Sequence, residues 1–192
     1  MLNAAQRGAT LIELMIALAI VGLLMLLGLP AFSTFLQNTQ IRNAAETTLS
    51  GITLARAEAL RRNATVRFQL VSNLTSGCAL SATSLNWVVS LADPSGACDA
   101  APSIVQKKSA REGTGNVTVA TTGGSTLVFN GLGRVIGAGI TRFDFSNNSG
   151  ACEHVDATNG TMRCLSILVS TGGQAKLCDP KVTDVTDPRR CV

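Results

Sequence analysis

Residues 11–29, LIELMIALAIVGLLMLLGL, form an apolar run interrupted only by Glu13, and such a run leaves few options for the chain that carries it. Coiled as a helix it spans ~28 Å, close to the ~30 Å hydrocarbon core of a bilayer. Cleavable secretory signals have shorter apolar cores that end in a small-residue cleavage site. Here the run passes directly into PAFSTFLQNTQ without a site of that kind. A carboxylate inside the span costs on the order of 3 kcal/mol, so Glu13 needs a compensating partner. A cut between Gly8 and Ala9 supplies one: a new amine one helical turn before Glu13, on the same chain or on a neighbour. Low dielectric makes that pairing effective. Glycine costs ~1 kcal/mol in a helix and proline removes an internal hydrogen bond, so Gly22 to Pro30 is the interval where this helix can bend or loosen.

Much of the chain's apolar excess lies in this opening. Over 192 residues the hydrophobic share is 46% and the charged share 15%, so the remainder has room for one ordinary globular domain. The net charge of +4 neither demands nor excludes a polyanionic partner. All six cysteines (Cys78, Cys98, Cys152, Cys164, Cys178 and Cys191) follow the apolar run, and none forms a C-x-x-C pair. Wide spacing on one side of a membrane segment predicts disulfides in an oxidising compartment. Six cysteines permit 15 connectivities; proximity alone, closing the shortest loops, pairs Cys78 with Cys98, Cys152 with Cys164 and Cys178 with Cys191.

From Phe32 to Asn63 the pattern becomes amphipathic. Ile41, Ala45, Leu49, Ile52, Ala55, Ala59 and Leu60 recur at three- and four-residue spacing on one helical face, while Arg42, Glu46, Ser50, Arg61 and Arg62 mostly fall elsewhere. The membrane helix therefore continues as one rod that Asn63 ends. Beyond it the period drops to two. Strands are predicted at 65–70, 86–91, 116–120, 125–130, 140–146 and 164–170, separated by the turn sequences DPSG, TTGG, NGLG and STGG. The expected fold is α+β, with an antiparallel sheet packed on the C-terminal half of the long helix. Arg56, Arg61, Arg62 and Arg67 cluster where helix meets strand, a set that suits lipid headgroups, acidic neighbours or plain solvation alike.

Catalytic chemistry finds little footing. His154, the single histidine, sits in the polar loop SNNSGACEHVDATNGTMRC with no nucleophile motif, and with Cys152 and Cys164 it lacks zinc-ligand spacing and a fourth ligand. No cofactor or metal is expected.

The stretch RGATLIELMIALAIV resembles the class III signal of type IV pilins and type II secretion pseudopilins. The resemblance implies that prepilin peptidase cleaves after Gly8 and N-methylates Ala9, and that Glu13 is the assembly carboxylate. Ala9 departs from the phenylalanine usual in the family. The stretches LVFNGLGRV (127–135) and TGGQAKLC (171–178) resemble the GspH/FimT branch of that superfamily: Gly133-Arg134, Lys176 and Cys178 match, while Gln174 replaces a basic residue. The implied organisation is a leader at 1–8, a transmembrane and assembly helix at 9–30, an amphipathic helix at 31–63 and a disulfide-braced periplasmic head at 64–192. Membership implies a non-enzymatic minor pilin of a type IV pilus, or else the H-type pseudopilin of type II secretion. Its partners are then other subunits and, before assembly, inner-membrane lipid. Some FimT-type minor pilins bind DNA through a C-terminal basic loop. By that resemblance Lys176, Lys181, Arg189 and Arg190 are candidates for contact with double-stranded DNA. Asp179, Asp184 and Asp187 intervene, so residues 176–192 carry four positive and three negative side chains, a net of +1.

Overall fold

The long apolar and amphipathic patterns merge into one helix, α1 (Leu11–Arg62). The computed structural model describes residues 10–99, 103–110, 112–153 and 160–192, with the side chains of 27–30 excepted. Gly8, Ala9 and His154 lie outside the described residues. The chain divides into two units, Met1–Leu36 and Gln37–Val192.

In the first unit, Thr10 caps α1. Its hydroxyl accepts the Glu13 amide hydrogen at 3.3 Å and its carbonyl accepts that of Leu14 at 3.2 Å. The T-x-x-E spacing is that of a capping box, and an acid in the first turn also complements the helix dipole. Every large apolar side chain from Leu11 to Leu26 is 46–78% exposed. Among the described residues no single helix is long and apolar enough to cross a membrane, whereas Leu11–Leu26 and Ala31–Arg62 together meet the length and composition required.

The second unit is built on the remainder of α1. Ile41, Ala44, Ala45, Ile52, Ala55 and Ala59 are buried along one face. The helix closes in a Schellman motif: Asn63 takes φ of +48°, its amide donates to the Leu60 carbonyl, and the Ala64 amide donates to that of Ala59. Leu60, assigned to the buried face from its spacing, is half exposed, because it borders the open groove that also touches Gly173 and Ala175 rather than the closed core.

Two four-stranded antiparallel sheets, rather than the single sheet expected, pack on this helix. The strands are β1 (Val66–Leu70), β2 (Trp87–Ser90), β3 (Ile104–Lys108), β4 (Val117–Thr122), β5 (Thr126–Phe129), β6 (Arg142–Asn147), β7 (Leu165–Val169) and β8 (Ala175–Cys178). Their orders are β3-β2-β1-β5 and β4-β6-β7-β8. Strands β3 and β8 are additional to the six read from sequence. Phe68, Phe129, Phe143, Phe145 and Ile167 point inward from both sheets into a core shared with the helix. Phe68 meets Trp87 at 5.6 Å between ring centroids and Phe143 edge-on at 6.0 Å.

Disulfides join Cys78–Cys98, Cys152–Cys164 and Cys178–Cys191, the shortest-loop pairs. The first draws its loop over the outer face of β2, where Val71, Val88 and the two half-cystines form a second small apolar cluster. That roof explains why all of β2 is buried rather than alternate residues.

At Gly51 the helix packs closely against the first sheet. A Cβ built there lies 2.8 Å from the Phe68 ring and 3.0 Å from Trp87. Glycine-to-alanine normally stabilises a helix by ~1 kcal/mol. At this site overpacking against two buried rings reverses the sign, and Gly51→Ala should lower stability by about 1–3 kcal/mol. The midpoint of chemical denaturation of the detergent-solubilised protein measures it; an unchanged or higher midpoint would show that the rings can yield.

Candidate functional site

Three places carry the residues singled out by the sequence. The first is the start of α1, where Glu13 sits in the first turn beneath the Thr10 cap, three residues inside the cap. Gly22 lies within the exposed apolar part of α1, with open space around its Cα, and Pro30 lies further along the same helix.

The second place joins the two glycine motifs. Gly133, in the loop after β5, and Gly173, in the β7–β8 turn, are 40 residues apart in sequence but lie in contact, so that a Cβ on Gly173 would fall 2.0 Å from the Gly133 carbonyl oxygen. Both hold positive φ, +69° and +80°, which an L side chain rarely adopts. The same Gly133 carbonyl accepts a 3.0 Å hydrogen bond from Arg56 Nε on α1. One arginine thus ties the helix to a loop of the first sheet, and that loop touches a turn of the second. Beside this junction is a groove of about 390 Å³, whose lining includes Thr53, Arg56, Ala57, Leu60 and Ala175. Arg134, the exposed partner of Gly133 in the motif, donates its backbone amide to Asn130 Oδ1 at 3.0 Å.

The third place is the loop closed by Cys178–Cys191. Its anchor is Asp179, a buried carboxylate that accepts from Arg163 Nε at 2.9 Å and from the Lys181 amide at 3.0 Å. The Asp179 amide donates to the Arg189 carbonyl at 2.7 Å. Lys181, Arg189 and Arg190 lie in this loop and Lys176 on the adjoining strand β8, and three of the four already have partners. Lys176 Nζ donates to the Arg190 carbonyl at 3.0 Å, Lys181 pairs with Glu153, and Arg189 grips Asp187 through Nε and Nη2 at 3.1 and 2.7 Å. Hydrogen bonds from the Arg189 side chain and amide push Asp187 down to about 2. On α1, Arg61 and Arg62 both engage Glu58 and push it down to about 2. The basic cluster at the helix end is therefore partly neutralised.

Sequence reasoning missed the Arg56–Gly133 and Arg163–Asp179 contacts. The glycine motif marked one end of the first, but nothing local marks an arginine 77 residues away.

A family model described as type II transport protein GspH matches residues 44–175, and one described as a prokaryotic N-terminal methylation motif matches residues 3–29. Two crystal structures of the type IV minor pilin FimU from Pseudomonas aeruginosa (strain PAO1) are similar in fold. The form in space group P21 is 18% identical, with a TM-score of 0.50 over 79% of this chain and 97% of that one. The P65 form gives 16% identity and a TM-score of 0.44 over 75% and 97%. No curated protein sequence matches the chain.

Because Asp187 is held low, its interaction with Arg189 is in force above the ordinary carboxylate range and is lost as pH falls toward about 2. Arg189→Ala should move the Asp187 midpoint up toward its ordinary value of 3.8, as read by carboxyl-carbon NMR titration of the full-length protein. A midpoint that stays near 2 would assign the effect to the loop backbone alone.

Proposed function

Since the chain belongs to the GspH family of type II transport proteins, we propose that it is a non-enzymatic minor pilin of the GspH/FimT type, processed by prepilin peptidase and built into a type IV pilus. The carrying observation is the methylation motif at 3–29, which runs into a helix whose large apolar side chains are all exposed from Leu11 to Leu26. A surface of that size and polarity is untenable in water and must be covered by lipid or by other helices. Before assembly the cover is the inner membrane, with the head in the periplasm. In the filament it is a bundle of neighbouring helices, and the interval from Gly22 to Pro30 accommodates the change of packing. Cleavage after Gly8 leaves an N-methylated amine on Ala9. Glu13 pairs with that amine on a neighbour, which offsets the carboxylate's desolvation and sets the axial register.

A second reading has an observation of its own: the family's description names type II transport. The chain would then be the H-type pseudopilin of type II secretion, using the same helix and head. Deleting the gene and scoring twitching, transformation and exoprotein secretion separately discriminates the two. Contact of the C-terminal loop with double-stranded DNA draws support from the GspH/FimT resemblance and from three cations in that loop beside a fourth, Lys176, on β8. At a net charge of +1 with most cations already paired, binding there would be weak and lost at moderate salt.

The intact mass of the membrane-extracted protein should lack residues 1–8, carry one added methyl group and be six hydrogens short of the reduced chain. Retention of the first eight residues would refute processing. Glu13→Ala should insert into the membrane at wild-type level while its incorporation into sheared filaments falls roughly tenfold or more, as expected for an unpaired buried charge. Equal incorporation would remove the register role.

A further inference from the structure

The edge of β8 beside the groove is open, and it has the chemistry of a strand acceptor. The Ser170 amide donates to the Gln174 carbonyl at 2.9 Å, and the register pairs Leu168 with Lys176 and Ser166 with Cys178. In an antiparallel ladder this alternation turns the backbone groups of Gln174, Lys176 and Cys178 toward β7. Those of Ala175, Leu177 and Asp179 therefore face outward. At Asp179 the outward edge is already used: its amide donates to the Arg189 carbonyl, and Asp179 and Arg190 form a parallel bridge. One end of this edge thus takes an added strand from the chain's own C-terminal segment. At Ala175 and Leu177 no described residue fills the same role.

The two edges of the first sheet are closed or guarded. The outer side of β5 is occupied, since Ile136 donates to Val128 and Ile140 to Thr126. Strand β3 carries Lys107 and Lys108, charges that discourage edge pairing. The lysine of β8, Lys176, is folded back onto the Arg190 carbonyl and so guards the end that is already filled.

We propose that an extended segment of a neighbouring filament subunit adds as a strand to β8 at Ala175–Leu177 and seats its side chains in the groove between β8 and α1. This rests on the assembly reading above, which brings neighbouring heads together. The groove of about 390 Å³ provides the space, because a strand ~4.8 Å from β8 lies over it. Its inward-facing residues meet Ala57 and the half-exposed Leu60. At the lip, the Arg56 guanidinium selects a segment with an acidic side chain next to an apolar one. Two residues' worth of backbone bonding is too little to capture a free peptide, but suffices once the partner is held in the same filament at high effective concentration.

Ala175→Pro removes only an outward-facing N–H and is compatible with an edge strand, whereas the β7–β8 ladder keeps its bonds. Ala57→Trp fills the groove from an exposed helix position. In full-length protein, each should reduce recovery in sheared filaments roughly tenfold, with cleavage, disulfide formation and membrane abundance at wild-type level. In wild-type protein, hydrogen exchange at the 175 and 177 amides should slow on passing from detergent extract to filament. That comparison needs no variant to fold. Unchanged exchange at these amides, or wild-type recovery of both variants, overturns the strand-addition proposal alone. Absence of the wild-type protein from the filament fraction overturns the assembly reading and this proposal with it.

Discussion

On the buried face of α1, among Ala44, Ala45, Ala55 and Ala59, Gly51 leaves so little side chain that the rings of Phe68 and Trp87 come close to the helix backbone. Both sheets of the head depend on that approach. A helix lined with leucine would hold each sheet further away and could not present one narrow ridge to two sheets at once. Close packing of this kind draws on dispersion as well as on area removed from water, and it tolerates added volume poorly. The aromatic residues are few, but they are concentrated where the ridge is thinnest, with Phe143 and Phe145 extending the same layer into the second sheet.

A second constraint works at the far end of the helix. The contact between Gly133 and Gly173, with Arg56 bonded to the first of them, closes the head where helix, loop and turn converge. Both glycines hold a positive φ that disfavours a Cβ, and at Gly173 a Cβ would also clash with the Gly133 carbonyl oxygen. The motif resemblance that first drew notice to these residues thus has a structural cause. The charges around the head follow a related logic: Glu58, Asp179 and Asp187 each engage nearby arginines. A surface whose cations are satisfied internally offers little to a polyanion and more to a neighbouring protein surface, which accords with a subunit that works by packing.

The long helix was legible because its period persists over many turns, and Asn63 was legible as its end because asparagine tolerates the left-handed conformation. Six strands were legible from alternation. Strand β3 was not, because IVQKK is an edge strand that buries neither face fully and so carries no clear alternation. Strand β8 was hidden by its brevity and by the turn residues before it. The split into two sheets left no local trace, since a strand's own sequence does not say which neighbour it pairs with. Leu60 kept the helical period but lost its burial, because the period says which way a side chain points and not whether its neighbours close over it or leave an open groove.

The sequence by itself determined the long apolar run, its single carboxylate, the α+β class and an even set of cysteines placed to form disulfides. All of these depend on the order of residues along a short stretch of chain. Only the tertiary structure decided that the head has two sheets on one helix, that two distant glycines meet under an arginine, and that most of the candidate DNA-facing cations are already engaged. Those outcomes turn on contacts between segments tens of residues apart, whose partners compete for the same small faces of α1. No local pattern encodes who wins that competition; packing density and hydrogen-bond satisfaction over the whole head do.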